Sequence, residues 1–478
     1  MEYLETLRPY YLILYYIFVS LVVLSIILDN KKPEKSFSYI LLILLFPIGG
    51  LVIYFLFGAQ YQKKKLLTKK RYFDRVFLNE LKSQEKKPFQ DDLSETYPKL
   101  PTLFYNIEQV NFTRRNRLEL LRNGEEKFPK LLEAIRKAEQ SIHLEYYIIA
   151  ESEIQKRIFD LLEQKAAEGL KVRVIYDDVG SNLTKKSIRR LELAGVQIRP
   201  YMPVWFSGLA HKANYRNHRK IAVIDDRIGF LGGVNINDKY INPNALGLYW
   251  RDSHLYLEGE AVQELQYLFV SDWYLVSSEK IDLAQISLEE QMSPMADLPV
   301  SVLGSDYGKN NQTIMEAFFG MITSAREEVL ITTPYFIPND TILNALKISA
   351  KSGVKVKIML PEKPDIKIAY YASQTYLKDL IESGVEVYYY AKGMMHSKTM
   401  IVDGKISTIG STNMDQRSFS LNAEVNAFVL DQKLAQDLRI DFLKDQEDAY
   451  LLSIERLKNR SFGKKILCSM ARLVAPIL

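Results

Sequence analysis

A single cysteine, Cys468, stands among 478 residues. That excludes an intramolecular disulfide framework and a thiolate metal cluster. Histidine is nearly as scarce, with five in all, which argues against a histidine-based metal site and leaves only carboxylate ligands open. Neither a metal nor any other cofactor is expected. A strong charge of one sign is also lacking: the formal balance of +5 names no partner class by itself. No low-complexity tract occurs. Hydrophobic and charged fractions of 47% and 25% are those of an ordinary globular chain, long enough here for two or three domains.

What the chain does have is two long apolar runs near its start. Residues 10–28 are almost wholly apolar, and residues 38–57 nearly so, interrupted by Pro47, Gly49 and Gly50. Each approaches the roughly 20 residues that a helix needs to cross a bilayer. The connector 29–37 is too short to hold structure, so the pair is expected to form a two-helix transmembrane hairpin. Its leader carries Glu2, Glu5 and Arg8 in place of a basic cluster, and no small-x-small site follows. A retained anchor is therefore expected rather than a cleaved signal peptide. Six positive residues and no acid come next, between Lys63 and Arg71. Basic residues beside a membrane helix mark its cytoplasmic end and attract anionic headgroups. The expected location is the cell membrane, multi-pass, with everything after residue 58 in the cytoplasm against anionic lipid.

Past residue 120 the chain repeats itself. LLEAIRKAEQ, SIHLEYYII, IFDLLEQKAAEG, KVRVIYDDVGS, SIRRLELAG and VQIRPYM read as alternating helices and strands. IMEAFFGMITSARE, EVLITTPYFI, ILNALKISAKSG, VKVKIML, TYLKDLIESG and VEVYYYA follow the same order. Alternation of this kind predicts an α/β fold, a mixed sheet flanked by helices in two pseudo-symmetric halves. The expected boundaries are an anchor over 1–60, a basic juxtamembrane segment and linker over 61–119, and half-domains over 120–290 and 291–478. The final residues, with Ile466, Met470 and Leu473 at helical spacing, predict a helix packed on the core; its basic residues leave a membrane-surface role as the lesser alternative.

Each repeat ends in one pattern. His218-Arg219-Lys220 runs through IAVI to Asp225, and His396-Ser397-Lys398 through TMIV to Asp403, an H-x-K-x4-D frame both times. GGVN ending at Asn235 and GSTN ending at Asn413 follow at the same offset. Both stretches read as β-hairpins with two-residue turns. Residues two apart share a face, so each histidine projects beside its lysine. That register sets Gly233 opposite His218 and Ser411 opposite His396, with Asn235 and Asn413 alongside. Imidazole serves as a nucleophile towards phosphorus, an acid or a base near neutral pH. Lysine and asparagine suit the non-bridging oxygens of a phosphoryl group, so Lys220, Lys398, Asn235 and Asn413 form a candidate clamp. Asp252 and Glu424, each about 30 residues beyond a histidine, are candidates to fix the imidazole tautomers as a triad carboxylate does. Asp225 and Asp403, in the hairpin turns, point away from the phosphate and are expected to be structural. The bland alternative is a duplicated scaffold whose polar residues hold a domain interface.

These paired frames resemble the phospholipase D superfamily. RNHRKIAVID, WRDSH, TTPYFIP, HSKTMIVDG, GSTNMDQRSFSLNAEVN, the N-terminal hairpin ending in IYFLFG and the terminal RLVAPIL are similar to bacterial cardiolipin synthases within it. The resemblance covers nearly all of residues 120–478. It implies two phospholipase D-like half-domains around one site and a catalytic set of His218, Lys220, Asp225, His396, Lys398 and Asp403. The implied reaction moves a phosphatidyl group between two phosphatidylglycerols through a phosphohistidine, giving cardiolipin and glycerol. The resemblance gives His218 as nucleophile, while the symmetry of the sequence permits the reverse. A phosphodiester hydrolase of the same fold and a non-catalytic membrane scaffold are the competing readings; the anchor argues for lipid over nucleic acid. Asp226 departs from the usual glycine, Lys239 from a common acid, and LGSD at 303–306 from a usual proline. The first departure predicts a different turn in the first hairpin, and the others bear on headgroup contacts.

Overall fold

The computed structural model describes residues 2–28, 33–55, 96–108, 111–203, 215–243, 247–281, 297–306 and 312–473. The basic stretch Lys63–Arg71, the boundary at 290 and residues 474–478 lie outside these. The chain divides into two compact units, residues 1–65 with 205–213 and the remainder.

The first unit is helical: Glu2–Leu28, Pro33–Leu45 and Pro47–Ile53. Val22, Ile26, Ile43, Leu51 and Tyr54 make its small core. The second apolar run is not one continuous helix as the sequence suggested. It breaks at Phe46, because Pro47 offers no N–H and crowds the preceding turn. Among the described residues no helix is long and apolar enough to cross a membrane.

The second unit bears out the α/β class. Strands of both repeats join in one 16-stranded mixed sheet. In the first repeat Gln197–Tyr201, Lys171–Asp177 and Ser141–Tyr146 run parallel. Lys220–Ile224, Ile228–Gly232, Ser253–Gly259 and Thr113–Arg122 then continue antiparallel. The second repeat has the same order. Glu386–Tyr390, Lys355–Pro361 and Glu328–Thr332 are parallel. Thr399–Val402, Ile406–Gly410, Asn422–Val429 and Asp297–Ser305 follow antiparallel. The parallel strands are almost wholly buried, which is why apolar residues dominate them on both faces, with His143, Glu145 and Arg173 as buried exceptions. Gly169 and Gly353 end equivalent helices, both at φ 95°, the left-handed geometry that a glycine adopts without a Cβ penalty.

Thr113–Arg122 and Asp297–Ser305 pair antiparallel and fuse the halves. This first strand crosses the boundary set at residue 120. Only Asn116 and Leu121 of its ten residues are buried, so no alternation marks it. Lys99–Glu108, within the expected linker, is a helix whose Leu100 and Phe104 enter the core of the second half, with Phe104 edge-on to Phe428 at 4.8 Å. Across the seam Arg251 pairs with Asp441 and Asp445 at 3.2 and 2.8 Å, and Arg122 with Asp441 at 2.8 Å.

Candidate active site

Two short parallel ladders between the halves build the site. Arg216–Asn217 pairs with Asn422–Ala423, and Gly393–Met395 pairs with Tyr249–Arg251. Each ladder stops one residue short of a histidine on one strand and of a carboxylate on the other. His218 N–H donates to the Ala423 carbonyl at 2.9 Å, and His396 N–H to that of Arg251 at 2.7 Å. The acids are thereby exchanged between repeats. His218 Nδ1 lies 3.2 Å from Glu424 Oε1, and His396 Nδ1 lies 2.7 Å from Asp252 Oδ2. Both carboxylates are fully buried, while 16% and 12% of the two imidazole side chains stay open. Holding Nδ1–H turns Nε2 of each ring outward. The other described histidines are spent in the core: His143 stacks on Phe269 at 4.5 Å, and His254 is fully enclosed.

Neighbours complete each pair differently. The Ser411 hydroxyl donates to Glu424 Oε2 at 2.5 Å, and Asn422 Nδ2 donates to Oε1 at 3.3 Å. In the first repeat Gly233 stands where Ser411 does, and a Cβ there would come 2.0 Å from Asp252 Oδ1. Asp252 accepts instead from the Ser253 amide at 2.8 Å. Tyr147 packs on His218 at 4.0 Å, Trp250 on His396 at 5.2 Å.

Lys220 and Lys398 each fold back to donate to the carbonyl of their own histidine. Burial pushes Lys220 down to about 7 and Lys398 to about 8, though Glu424 and Asp252 pull the other way. Burial likewise lowers both histidines, His396 to about 4, so both rings are neutral at pH 7. Glu424 stays below the usual glutamate range because His218 and Lys220 outweigh its burial. A pH profile follows from these shifts. As pH rises through about 7–8, the free enzyme loses ammonium charge at Lys220 and Lys398, so kcat/KM should fall on the alkaline side. The kcat limb should lie higher, because a bound anion favours the ammonium. A kcat/KM flat from neutral to alkaline pH would contradict this.

The asparagines are less equivalent than their spacing suggests. Asn235 Oδ1 accepts from the Ile148 amide at 3.0 Å and its Nδ2 donates to Tyr240 Oη at 2.6 Å. Asn413 is also buried, and its Oδ1 has no hydrogen-bond partner.

Asp225-Asp226 and Asp403-Gly404 form the expected two-residue turns, closed from Arg227 N–H to the Ile224 carbonyl and from Lys405 N–H to that of Val402, but one further residue follows each turn before pairing resumes. Val402 pairs with Ile406 and Ile224 with Ile228, so Ser411 and Gly233 sit one register from the expected place opposite the histidines. Asp225, Asp226 and Asp403 all have φ of 51–54° and Gly404 60°, so Asp226 does not change the turn type. Aspartate is one of the few residues that visit this region readily. Asp403 accepts amides of Arg326, Glu327 and Glu328 at 2.8–2.9 Å and the Tyr97 hydroxyl at 2.8 Å. Asp225 does the same for Glu139, Gln140 and Ser141 at 2.7–2.9 Å. Each therefore stitches its turn to the start of a parallel strand. Asp403→Ala should cost about 1–3 kcal/mol of stability, read by thermal unfolding, with turnover per folded molecule retained. Lost turnover in a fully stable variant would give Asp403 a chemical role.

Sequence reasoning passed over Arg219. Its buried guanidinium bonds Asp272, Asp306 and the Ser305 and Glu424 carbonyls, tying the first motif to the strand that carries the partner acid. Its place between His218 and Lys220 was the available signal. Lys239 stacks over Trp250 at 4.4 Å, beside His396.

A family described as cardiolipin synthase, PLD-like domain, matches residues 131–273 and 318–446, and a phospholipase D-nuclease N-terminal family matches 16–58. A cardiolipin synthase of Geobacillus kaustophilus (strain HTA426) is 39% identical over 97% of this chain and 92% of its own length. Cardiolipin synthase 2 of Bacillus anthracis is 38% identical over 95% and 88%. Among solved structures, phosphatidylserine synthase of Haemophilus influenzae Rd KW20 aligns with a TM-score of 0.61 at 18% identity, covering 80% of this chain and all of that one. This likeness carries the fold alone; the sequence matches carry the family. Spanning nearly the full length of these relatives and matched by the PLD-like domain in both repeats, the chain belongs to the cardiolipin synthase family.

Proposed function

We propose that this protein is a phosphatidyltransferase that makes cardiolipin from two phosphatidylglycerols. The observation that carries the reading is the exchange of acids. Two imidazoles from different halves each have Nδ1 held by the other half's buried carboxylate, beside a lysine. His218 Nε2 attacks the phosphorus of one phosphatidylglycerol, and the P–O bond to glycerol breaks as His396 protonates the departing oxygen. His396 then takes the proton from the terminal hydroxyl of a second phosphatidylglycerol. That oxygen attacks, the P–N bond breaks and His218 is regenerated. Lys220, Lys398, Asn235 and Asn413 hold the phosphoryl oxygens, and Asp252 and Glu424 position the rings.

Supporting a membrane location, Ile13, Leu14, Leu44 and Ile48 are among many exposed apolar side chains of the N-terminal helices. We read this helical unit as a membrane anchor, with the basic stretch Lys63–Arg71 drawn to anionic headgroups on the cytoplasmic side. Incubating purified full-length protein with phosphatidylglycerol vesicles, followed by lipid mass analysis, should yield cardiolipin and free glycerol. Phosphatidic acid as the sole product would make it a hydrolase.

A further inference from the structure

Helix Phe462–Leu473 buries Cys468 and Ala471 and leaves most of its apolar surface outside. Phe462, Met470 and Leu473 are 78%, 62% and 81% exposed, and Ile466 and Leu467 are exposed beside them. Isolated exposed apolar residues need no explanation, but several concentrated on one helix do. The helix has no acid, and Lys464, Lys465 and Arg472 give it a single sign of charge. A packed core helix has no reason for this combination, whereas a helix lying in a headgroup layer needs both features.

The same surface leads to the active site. The helix packs on Lys367–Glu382, which Ile366 caps at its N-terminus, and Arg472 lies over the Tyr376 ring at 5.2 Å. Ile366 and Ile368 are themselves exposed. They follow Asp365, which accepts from Tyr335 Oη; the Tyr335 carbonyl accepts from the Thr333 hydroxyl, which in turn accepts from the amide of Met414, next to Asn413. Apolar surface, basic charge and the rim of the site therefore adjoin one another.

We propose that this face, helix Phe462–Leu473 with Ile366 and Ile368, docks the catalytic region on an anionic bilayer, so that headgroups meet the site at the Asp365 rim. The inference rests on the transferase reading for its substrate, but not for its membrane contact. The test uses full-length protein carrying Phe462→Trp or Met470→Trp, on phosphatidylglycerol vesicles containing brominated lipid, with Leu193→Trp on the exposed helix Lys185–Leu193 as control. The proposal expects blue-shifted, quenched emission at 462 and 470, none at 193, and weaker quenching on phosphatidylcholine. In a second measurement Phe462→Asp with Met470→Asp should raise KM for vesicle phosphatidylglycerol by about ten-fold or more. Turnover of a soluble short-chain phosphatidylglycerol should be unchanged. Unquenched emission at both positions overturns the docking surface, as does a blue shift that needs no vesicles and grows with protein concentration, the sign of a second copy of the chain. Absence of short-chain turnover in the unsubstituted protein would instead count against the transferase reading.

Discussion

His218→Gln should lower transfer by about 10⁴-fold or more, because on the proposed mechanism it removes the atom that carries the phosphatidyl group between substrates. His396→Gln should look as severe with phosphatidylglycerol, since glycerol is a poor leaving group that needs a proton. The two variants separate with a phosphodiester whose leaving group departs unprotonated, such as a p-nitrophenyl ester. On that substrate His396→Gln should regain its burst of nitrophenolate and retain label on the protein. His218→Gln should show neither. Label mapping to His396, or a burst surviving in His218→Gln, would reverse the assignment. Electrostatics alone does not settle it: burial keeps both rings neutral at pH 7, the form a nucleophile or a base requires. A phosphodiester bound beside His396 supplies the negative charge that raises its pKa and makes it an acid.

The α/β alternation, the repeat and the paired histidine frames were legible because each rests on a local pattern. Buried parallel strands are short and rich in apolar residues, and glycines at positive φ end matching helices. Thr113–Arg122 was not legible, since its irregular burial leaves no period to read. The hairpin registers were misjudged by one residue. Asp-Asp and Asp-Gly do form two-residue turns, closed from Arg227 N–H to the Ile224 carbonyl and from Lys405 N–H to that of Val402, but Arg227 and Lys405 are then passed over before pairing resumes at Ile228 and Ile406. Least legible was the partnership of acids and histidines. Spacing places each carboxylate behind the histidine of its own repeat. The pairing depends instead on two ladders between strands far apart in the chain, Gly393–Met395 with Tyr249–Arg251 and Arg216–Asn217 with Asn422–Ala423. Long-range pairing of this kind leaves no periodicity in the sequence.

That exchange gives a prediction which separates it from pairing within repeats. Glu424→Gln and Asp252→Asn should each lower kcat by about 10²–10⁴-fold, since an amide cannot hold the Nδ1–H tautomer or stabilise imidazolium. Asp252→Asn, although in the first half, should behave like loss of His396 and be rescued by the activated leaving group. Glu424→Gln should behave like loss of His218 and should not be rescued. Double-mutant cycles carry the same signature. With the activated ester, Asp252→Asn should cost little more in a His396→Gln background, whereas Glu424→Gln should abolish the burst that remains there. A milder Ser411→Ala variant should act with Glu424, because its hydroxyl bonds that carboxylate and no serine stands at Gly233. Coupling of each histidine to the acid of its own repeat would overturn the exchange. If the exchange holds, neither half can complete a reactive histidine without the other, and the seam between Thr113–Arg122 and Asp297–Ser305 becomes a requirement for chemistry as well as for folding.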